Sequence, residues 1–348
     1  TVVSYLERIQ IDGKMITEES FAGLIQRIKE AIARMKAVGE PHPTVFEIET
    51  AMAFLYFRER KCDFVVLETG FGGLLDATNV IGAPVCAVFS SISRDHMGIL
   101  GDTLEEIAQN KAGIIKKGCI VVTTGQKKEV KPILQKEAEK KGCPFIEADR
   151  NAVEILEENY RGSRFSYKGY NELRISLAGR HQIENAVTVL EVIESLKRKG
   201  YGIPMDCVYR GMEKTVWIGR FACILEHPLV IVDGAHNEEA AQRLCENIQR
   251  YFKNRRLIYI MGVFRDKEYE KIAQIMCPFA CSVYTVDLPD SQRTLPAECL
   301  AEVVKKYCIS VRAEKSVEAA VDAALAKAEE EDVILVFGSL SYLGEVLE

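Results

Sequence analysis

Apolar runs of four to six residues recur along the chain with amphipathic stretches between them, the pattern of parallel strands alternating with covering helices. In the first half the runs Phe64–Glu68, Val85–Ser90 and Cys119–Thr123 read as strands, punctuated by Gly70, Gly72, Gly73 and Gly82-Ala83-Pro84. Helices are expected over Leu104–Ile115 and Glu129–Lys141. From Asn151 to Leu177 the pattern shortens to alternating segments (Val153–Leu156, Arg164–Tyr167, Leu173–Leu177) broken by Gly162 and Gly169, which predicts antiparallel hairpins attached to the first domain. A helix over Gln182–Arg198 should stop at Gly200. A second series then predicts strands at Leu229–Val232, Leu257–Met261, Cys281–Val286 and Val333–Phe337. Helices at Glu238–Phe252, Lys267–Met276, Ala297–Tyr307 and Val317–Glu329 fit between them. The fold class is α/β, with a boundary near Gly219 that gives domains of residues 1–219 and 220–348.

Composition narrows the partners. The 348 residues, 48% apolar and 8% aromatic, suit two buried cores. With Lys+Arg 45 against Asp+Glu 51 the net charge is −6, and no block of like charge offers a polybasic arm, so nucleic acid and anionic membrane are poor partners. The 11 cysteines are odd in number and scattered through apolar segments, as in Cys86, Cys119, Cys245 and Cys281, which predicts buried free thiols and a reducing cytoplasm. No signal peptide or long apolar span is recognisable, so secretion and membrane spanning are not expected.

Candidate chemistry starts in the run Val65–Asn79, an apolar strand ending in Glu68 and then a glycine-rich loop with Asp76 and Asn79. A carboxylate at a strand's carboxyl end is well placed to ligate a hard cation such as Mg²⁺; an ordinary strand-end Glu beside a glycine turn is the alternative. The next strand ends in Ser90-Ser-Ile-Ser-Arg-Asp-His96, which should deliver Asp95 and His96 to the same crevice, although a lone His is more often structural. Thr103 and Glu106 make a capping box. Lys111 precedes the small and apolar Ala112-Gly-Ile-Ile115, which turns that helix end inward, while a surface lysine favoured by the helix dipole is the plainer account.

Taken together these segments resemble folylpolyglutamate synthase, often bifunctional as dihydrofolate synthase, within the Mur ligase superfamily. The resemblance rests on Thr44-x-Phe-Glu47, Glu68–Ile81, the Ser-Ile-x-x-Asp-His run ending at His96 and the Leu100–Ile115 segment. Gly179-Arg-His-Gln-Ile-Glu-Asn-Ala186, Trp217-Ile-Gly-Arg220, Asp233-Gly-Ala-His-Asn237, Asp266-Lys267 and Phe337-Gly-Ser-Leu340 follow in the family's order. It implies a Mur-ligase-like fold, a P-loop-type parallel-sheet ATPase domain followed by a smaller Rossmann-like domain. It also implies ATP-dependent amide formation: a carboxylate takes the γ-phosphoryl group of ATP, and the amine of L-glutamate attacks the acyl phosphate. By resemblance Glu68, His96 and a carbamylated Lys111 hold Mg²⁺, with K⁺ a candidate further cation. Asn185 matches an adenine contact and Arg220, at the hinge, a contact to phosphate and ribose. Asp233 and His236 match the second domain's contribution to ATP and the incoming amine. Asp76, Ala77 and Thr78 match the folate-side loop, and Ser339 the glutamate side. Singly, a helix-face Asn, a surface Arg, a helix N-cap cluster and a strand-end turn would account for Asn185, Arg220, Asp233 with His236, and Ser339. The substrates implied are a reduced folate or dihydropteroate and L-glutamate, in a cytoplasmic monomer whose site closes when the two domains approach.

Departures from the family are equally legible. The family opens with a strand and a Gly-Thr-Asn-Gly-Lys-Gly-Ser type P-loop, whereas Thr1–Gly13 aligns just downstream of it, so one βαβ opening is expected to be absent and residues 1–348 alone to lack ligation. Leu74 stands where an Arg is usual, and Ser341-Tyr342 replaces the usual Tyr-Leu. The rival readings are a truncated or inactive member that only binds folate or nucleotide, and a Mur-type ligase with another acyl acceptor.

Overall fold

A computed structural model describes residues 2–93, 99–290 and 292–347. Along the chain run β1 (Gln10–Ile11), β2 (Lys14–Met15), α1 (Glu18–Ala37), α2 (Val45–Glu59), β3 (Cys86–Phe89), α3 (Leu104–Ala112), β4 (Ile120–Thr123), α4 (Lys131–Lys140) and β5 (Phe145–Glu147). Then come β6 (Val153–Asn159), β7 (Gly162–Tyr167), β8 (Tyr170–Ile175), α5 (Arg180–Arg198) and α6 (Met205–Lys214). The second series is β9 (Ala222–Glu226), β10 (Leu229–Val232), α7 (Glu238–Tyr251), β11 (Leu257–Met261), α8 (Tyr269–Met276), β12 (Ser282–Thr285), α9 (Ala297–Val304), β13 (Val311–Ala313), α10 (Val317–Lys327), β14 (Val333–Phe337) and α11 (Leu343–Leu347).

Two compact units result, one of Ser4–Asp149 with Thr188–Tyr201, the other of Thr1–Val3, Arg150–Val187 and Gly202–Glu348. This grouping does not follow a single cut at Gly219. The hairpin sheet β6-β7-β8 packs with the C-terminal series for a physical reason: Glu158 on β6 accepts from the Tyr251 hydroxyl at 2.9 Å and pairs with Arg180 at 3.3 Å and Arg250 at 3.5 Å. Tyr160 adds an aromatic contact to Phe252, 5.7 Å between ring centroids.

In the unit that holds β10–β14, six strands run in the order β13-β12-β11-β14-β10-β9, parallel except for β9. Their continuous apolar runs are explained by burial of both sheet faces. Leu229, Ile231, Leu257, Tyr259, Leu335 and Phe337 enter one core, and the alternate residues Val230, Val232, Ile258, Ile260, Ile334 and Val336 enter the other. Gly338 turns the chain out of β14 at φ +115°; a Cβ there would lie 2.3 Å from the Gly262 carbonyl oxygen, so the two strand ends meet backbone to backbone.

In the other unit, β3-β4-β5 form a parallel sheet covered by α3 and α4, with Ile107, Ala108, Ile115, Val121, Val130 and Leu134 buried together. A separate core of Ile16, Leu24, Ile28, Met52 and Tyr56 holds α1 to α2. Here the expected strand Phe64–Glu68 is corrected. Residues 64–69 carry no strand, and Val66 is 96% exposed. Apolar, β-branched composition marks a segment that suits a sheet, but a strand exists only through a ladder, and among the described residues none pairs with it.

Candidate active site

The glycine loop after Glu68 is assembled by side chains on its own far end. Asp76 is buried and accepts from the Phe71 amide at 2.6 Å with one oxygen, and from the Thr78 amide and hydroxyl at 2.9 and 2.6 Å with the other. It thereby caps the short turn Ala77–Val80 and folds the loop back on itself. Ala77 is half-buried and Thr78 buried on this turn. Phe46 on α2 lies over Gly70, 2.4 Å from where a Cβ would stand.

The same loop is laid directly on the end of α3. Leu74 N–H donates to the Asn110 carbonyl at 2.9 Å, and the Asn79 amide donates to the carbonyls of Leu74 and Gly113 at 3.0 and 3.2 Å. A Cβ on Gly73 would stand 2.7 Å from the Lys111 carbonyl oxygen. Lys111 is therefore next to the loop, half-buried, in the helix that the Thr103–Glu106 capping box begins. The neighbouring Asn110 leaves its buried side-chain oxygen without a hydrogen bond. Glu68 is exposed and makes no hydrogen bond or ion pair among the described residues, so both carboxylate oxygens are available to a hard cation. Asp95 and His96 lie outside the described residues. The described residues alone gather no cluster of three metal-ligating His, Cys, Asp or Glu. Gln126, which sequence reasoning passed over, pins the segment that leads to His96 by accepting from Ile92 N–H at 3.1 Å and donating to the Ser90 carbonyl at 2.7 Å.

The second group of residues sits at the carboxyl end of β10. Asp233 follows the strand and is held by the Phe221 amide at 2.8 Å on one oxygen and the Ala235 amide at 2.8 Å on the other. Burial raises its carboxyl to about 6; Arg220 and the two amides pull the other way without prevailing. His236 approaches the Gly234 carbonyl through Nδ1 at 2.9 Å, which places a ring proton there because a carbonyl can only accept. Asn237 caps α7 by accepting from the Ala240 amide. Arg220 is exposed beside Asp233.

Two residues that received no role from the sequence complete this cluster. His181 is lowered to about 4, first by burial and then by the charges of Arg243 and Arg220. It is a neutral ring at neutral pH, within reach of the charges of two guanidinium groups. Gly179 is what lets it lie so close to the backbone, since a Cβ there would stand 2.7 Å from the ring. The motif Gly179–Ala186 contained the signal, a glycine two residues before a histidine at a helix start. Asn185 is exposed on the same helix, 3.1 Å from Gln182. Ser339, buried, shares its hydroxyl with Ser341 at 2.9 Å and accepts from the Ser341 amide at 3.2 Å, a strand-end turn. Tyr342 is fully buried and donates to the Phe337 carbonyl at 2.6 Å.

Residues 12–193 match the family described as Mur ligase middle domain, and residues 219–340 that described as Mur ligase, glutamate ligase domain. The chain is 34% identical over 354 residues to the dihydrofolate synthase/folylpolyglutamate synthase of Bacillus subtilis, covering 99% of this chain and 81% of that protein. It is 30% identical over 353 residues to the Escherichia coli enzyme of the same name, covering 78% of it. Among solved structures, folylpolyglutamate synthase of Mycobacterium tuberculosis, complexed with ADP and AMPPCP, superposes with a TM-score of 0.88 at 29% identity, over 99% of this chain and 82% of that one. The Thermotoga maritima folylpolyglutamate synthase gives 0.86 at 29% identity, over 99% and 79%. With both ligase domains matched in order and similarity running the length of the chain, the protein belongs to the folylpolyglutamate synthase/dihydrofolate synthase family of Mur ligases.

Proposed function

We propose that this protein ligates L-glutamate to a reduced folate, and to dihydropteroate, at the expense of ATP. The observation that carries the reading is the cluster at the end of β10, where Asp233, His236, Arg220 and His181 stand in the family's motif positions and the charge of Arg220 acts on both the half-buried Asp233 and His181. The substrate carboxylate takes the γ-phosphoryl group to give an acyl phosphate and ADP; the amine of glutamate then forms the amide and releases phosphate.

Arg220 supplies a fixed cation for phosphate oxygens, and the neutral His181 adds no charge that would compete with it. Asp233, with a carboxyl raised toward neutrality, is poised to take a proton from the incoming ammonium, which must become a free amine before it attacks. His236, oriented through Nδ1 by the Gly234 carbonyl, contributes a second imidazole to the same site. Asn185 faces the adenine, Asp76, Ala77 and Thr78 shape the folate side, and Ser339 stands on the glutamate side. Glu68, Lys111 as its carbamate, and His96 would hold Mg²⁺, which when bound neutralises phosphate charge. The unpartnered Glu68 carboxylate fits that ion; an uncarbamylated Lys111 amine does not. K⁺ is a candidate further cation. We infer a monomer working in the cytoplasm, a reading supported by eleven free thiols. Among the described residues no helix is long and apolar enough to cross a membrane.

The protein's gene, with any coding sequence that lies upstream of Thr1, should restore growth without added folate end products to a bacterium lacking dihydrofolate/folylpolyglutamate synthase, and its purified product should form ADP and glutamylated folate together. Lys111→Ala should lose this activity and regain part of it with formate or acetate, whereas Lys111→Arg should stay inactive because arginine cannot form the carbamate. Failure to complement, with no coupled ADP release from a soluble product, overturns the function. Full activity in Lys111→Arg overturns the carbamate alone.

A further inference from the structure

At the amino ends of β4 and β5 two thiols lie in sulfur contact. Cys119 Sγ is 3.7 Å from Cys143 Sγ. Their pairing follows from the ladder. Val121 is registered with Phe145, Val122 with Ile146 and Thr123 with Glu147, and Val121 N–H donates to the Pro144 carbonyl at 2.8 Å. Counted back two residues, an extension of that register would set Cys119 opposite Cys143, in keeping with their sulfur contact. Neighbouring strands are about 4.8 Å apart, inside the roughly 4.4–6.8 Å Cα window of a disulfide.

We propose that Cys119 and Cys143 are a modification site, a dithiol that a peroxide oxidises to an intrachain disulfide. Cys143 keeps 7% exposure whereas Cys119 has none, so Cys143 reacts first. Its S–H donates to the Lys116 carbonyl at 3.1 Å, which presents the sulfur at the turn Lys116–Gly118. Lys141 lies at the same turn, its ammonium on the Ile115 carbonyl at 2.5 Å. Lys199 donates to the Gly118 carbonyl at 3.0 Å, so a second ammonium group lies at this turn. The Cys143 thiolate attacks one peroxide oxygen and forms a sulfenic acid, releasing hydroxide that takes up the thiol proton as water. The Cys119 sulfur then displaces the sulfenic oxygen, which leaves as a second water once it has taken the Cys119 proton. Two thiols are oxidised by two electrons and one peroxide is reduced to two waters. The bond closes β4-α4-β5 into one loop and so limits the unfolded chain.

The reduced full chain, treated with hydrogen peroxide or diamide and digested with trypsin without reductant, should yield a linked pair of peptides. Residues 118–127 and 142–150 each carry one cysteine, and the pair should be about 2 Da lighter than their sum. Linkage should form faster in the native chain than in urea, and should raise the unfolding midpoint by roughly 5 °C. Cys119→Ser and Cys143→Ser should each lose both effects. The proposal is overturned if oxidation modifies the exposed Cys207, Cys281 and Cys299 but gives no 119–143 link. It is equally overturned if the link forms no faster in the native chain than in urea.

Discussion

Asp233 and His181 are perturbed in opposite senses by one environment, and the sign of each can be read from pH. A carboxyl raised from 3.8 to about 6 binds more protons in the folded state, so its contribution to stability is greatest in acid and is lost as pH rises through about 6. A histidine lowered from 6.5 to about 4 binds more protons unfolded, so stability is lost as pH falls below 6.5. Between pH 5 and 7 the two nearly offset each other. Asp233→Asn removes the first and should make the protein lose about 1–2 kcal/mol more than wild type on going from pH 7 to 5. His181→Gln removes the second and should reverse the sign of that difference. Urea titrations at the two pH values check both; curves that shift in parallel for all three proteins would dismiss the shared environment. The sequence showed Asp233 through its motif, but the opposing shift at His181 depends first on burial and then on the distant Arg243, both visible only in the fold.

At the scale of elements, the glycine loop and α3 are one device, and single methyl groups can test it. A Cβ on Gly73 would meet Lys111 backbone atoms at 2.7 and 2.9 Å, which no side-chain rotation relieves, whereas Gly82 has open space around its Cβ position. Gly73→Ala should lift the loop from the helix and destabilise the protein by about 1–3 kcal/mol, with loss of glutamate ligation. Gly82→Ala should change neither by more than about 0.5 kcal/mol. Equal behaviour of the two variants in thermal unfolding would show that the loop does not depend on its seat on α3. Such contacts explain what was legible and what was not. The capping box of α3 and the doubly buried strands β10, β11 and β14 are written locally, in spacing and in unbroken apolar runs. The strand expected at Phe64–Glu68 failed because its ladder is not a local property. Helices α1 and α2 passed unnoticed in the sequence, since their core of Leu24, Ile28, Met52 and Tyr56 is shared between two elements and each face alone is sparse.

For the whole molecule, the order of motifs announced the family and the α/β class, yet the partition into compact units rests on contacts that sequence order conceals. Residues 150–187 follow the first series in the chain and pack with the second. The joint is Glu158, 10% exposed at its side chain, which receives Tyr251, Arg180 and Arg250 at once. Removing a buried carboxylate with three partners leaves two guanidinium groups and a phenol to be resolvated or left unpaired, at a cost of about 2 kcal/mol or more. Glu158→Ala should therefore accelerate amide hydrogen exchange in β6, β7, β8 and α7 by roughly thirtyfold. Exchange in β3, β4 and β5, which belong to the other unit and share no core with Glu158, should be unchanged. Uniform acceleration across both sets of strands would mean that the chain opens only as a whole. Acceleration confined to β3, β4 and β5 would place the hairpin sheet with the first series, where sequence order alone had put it.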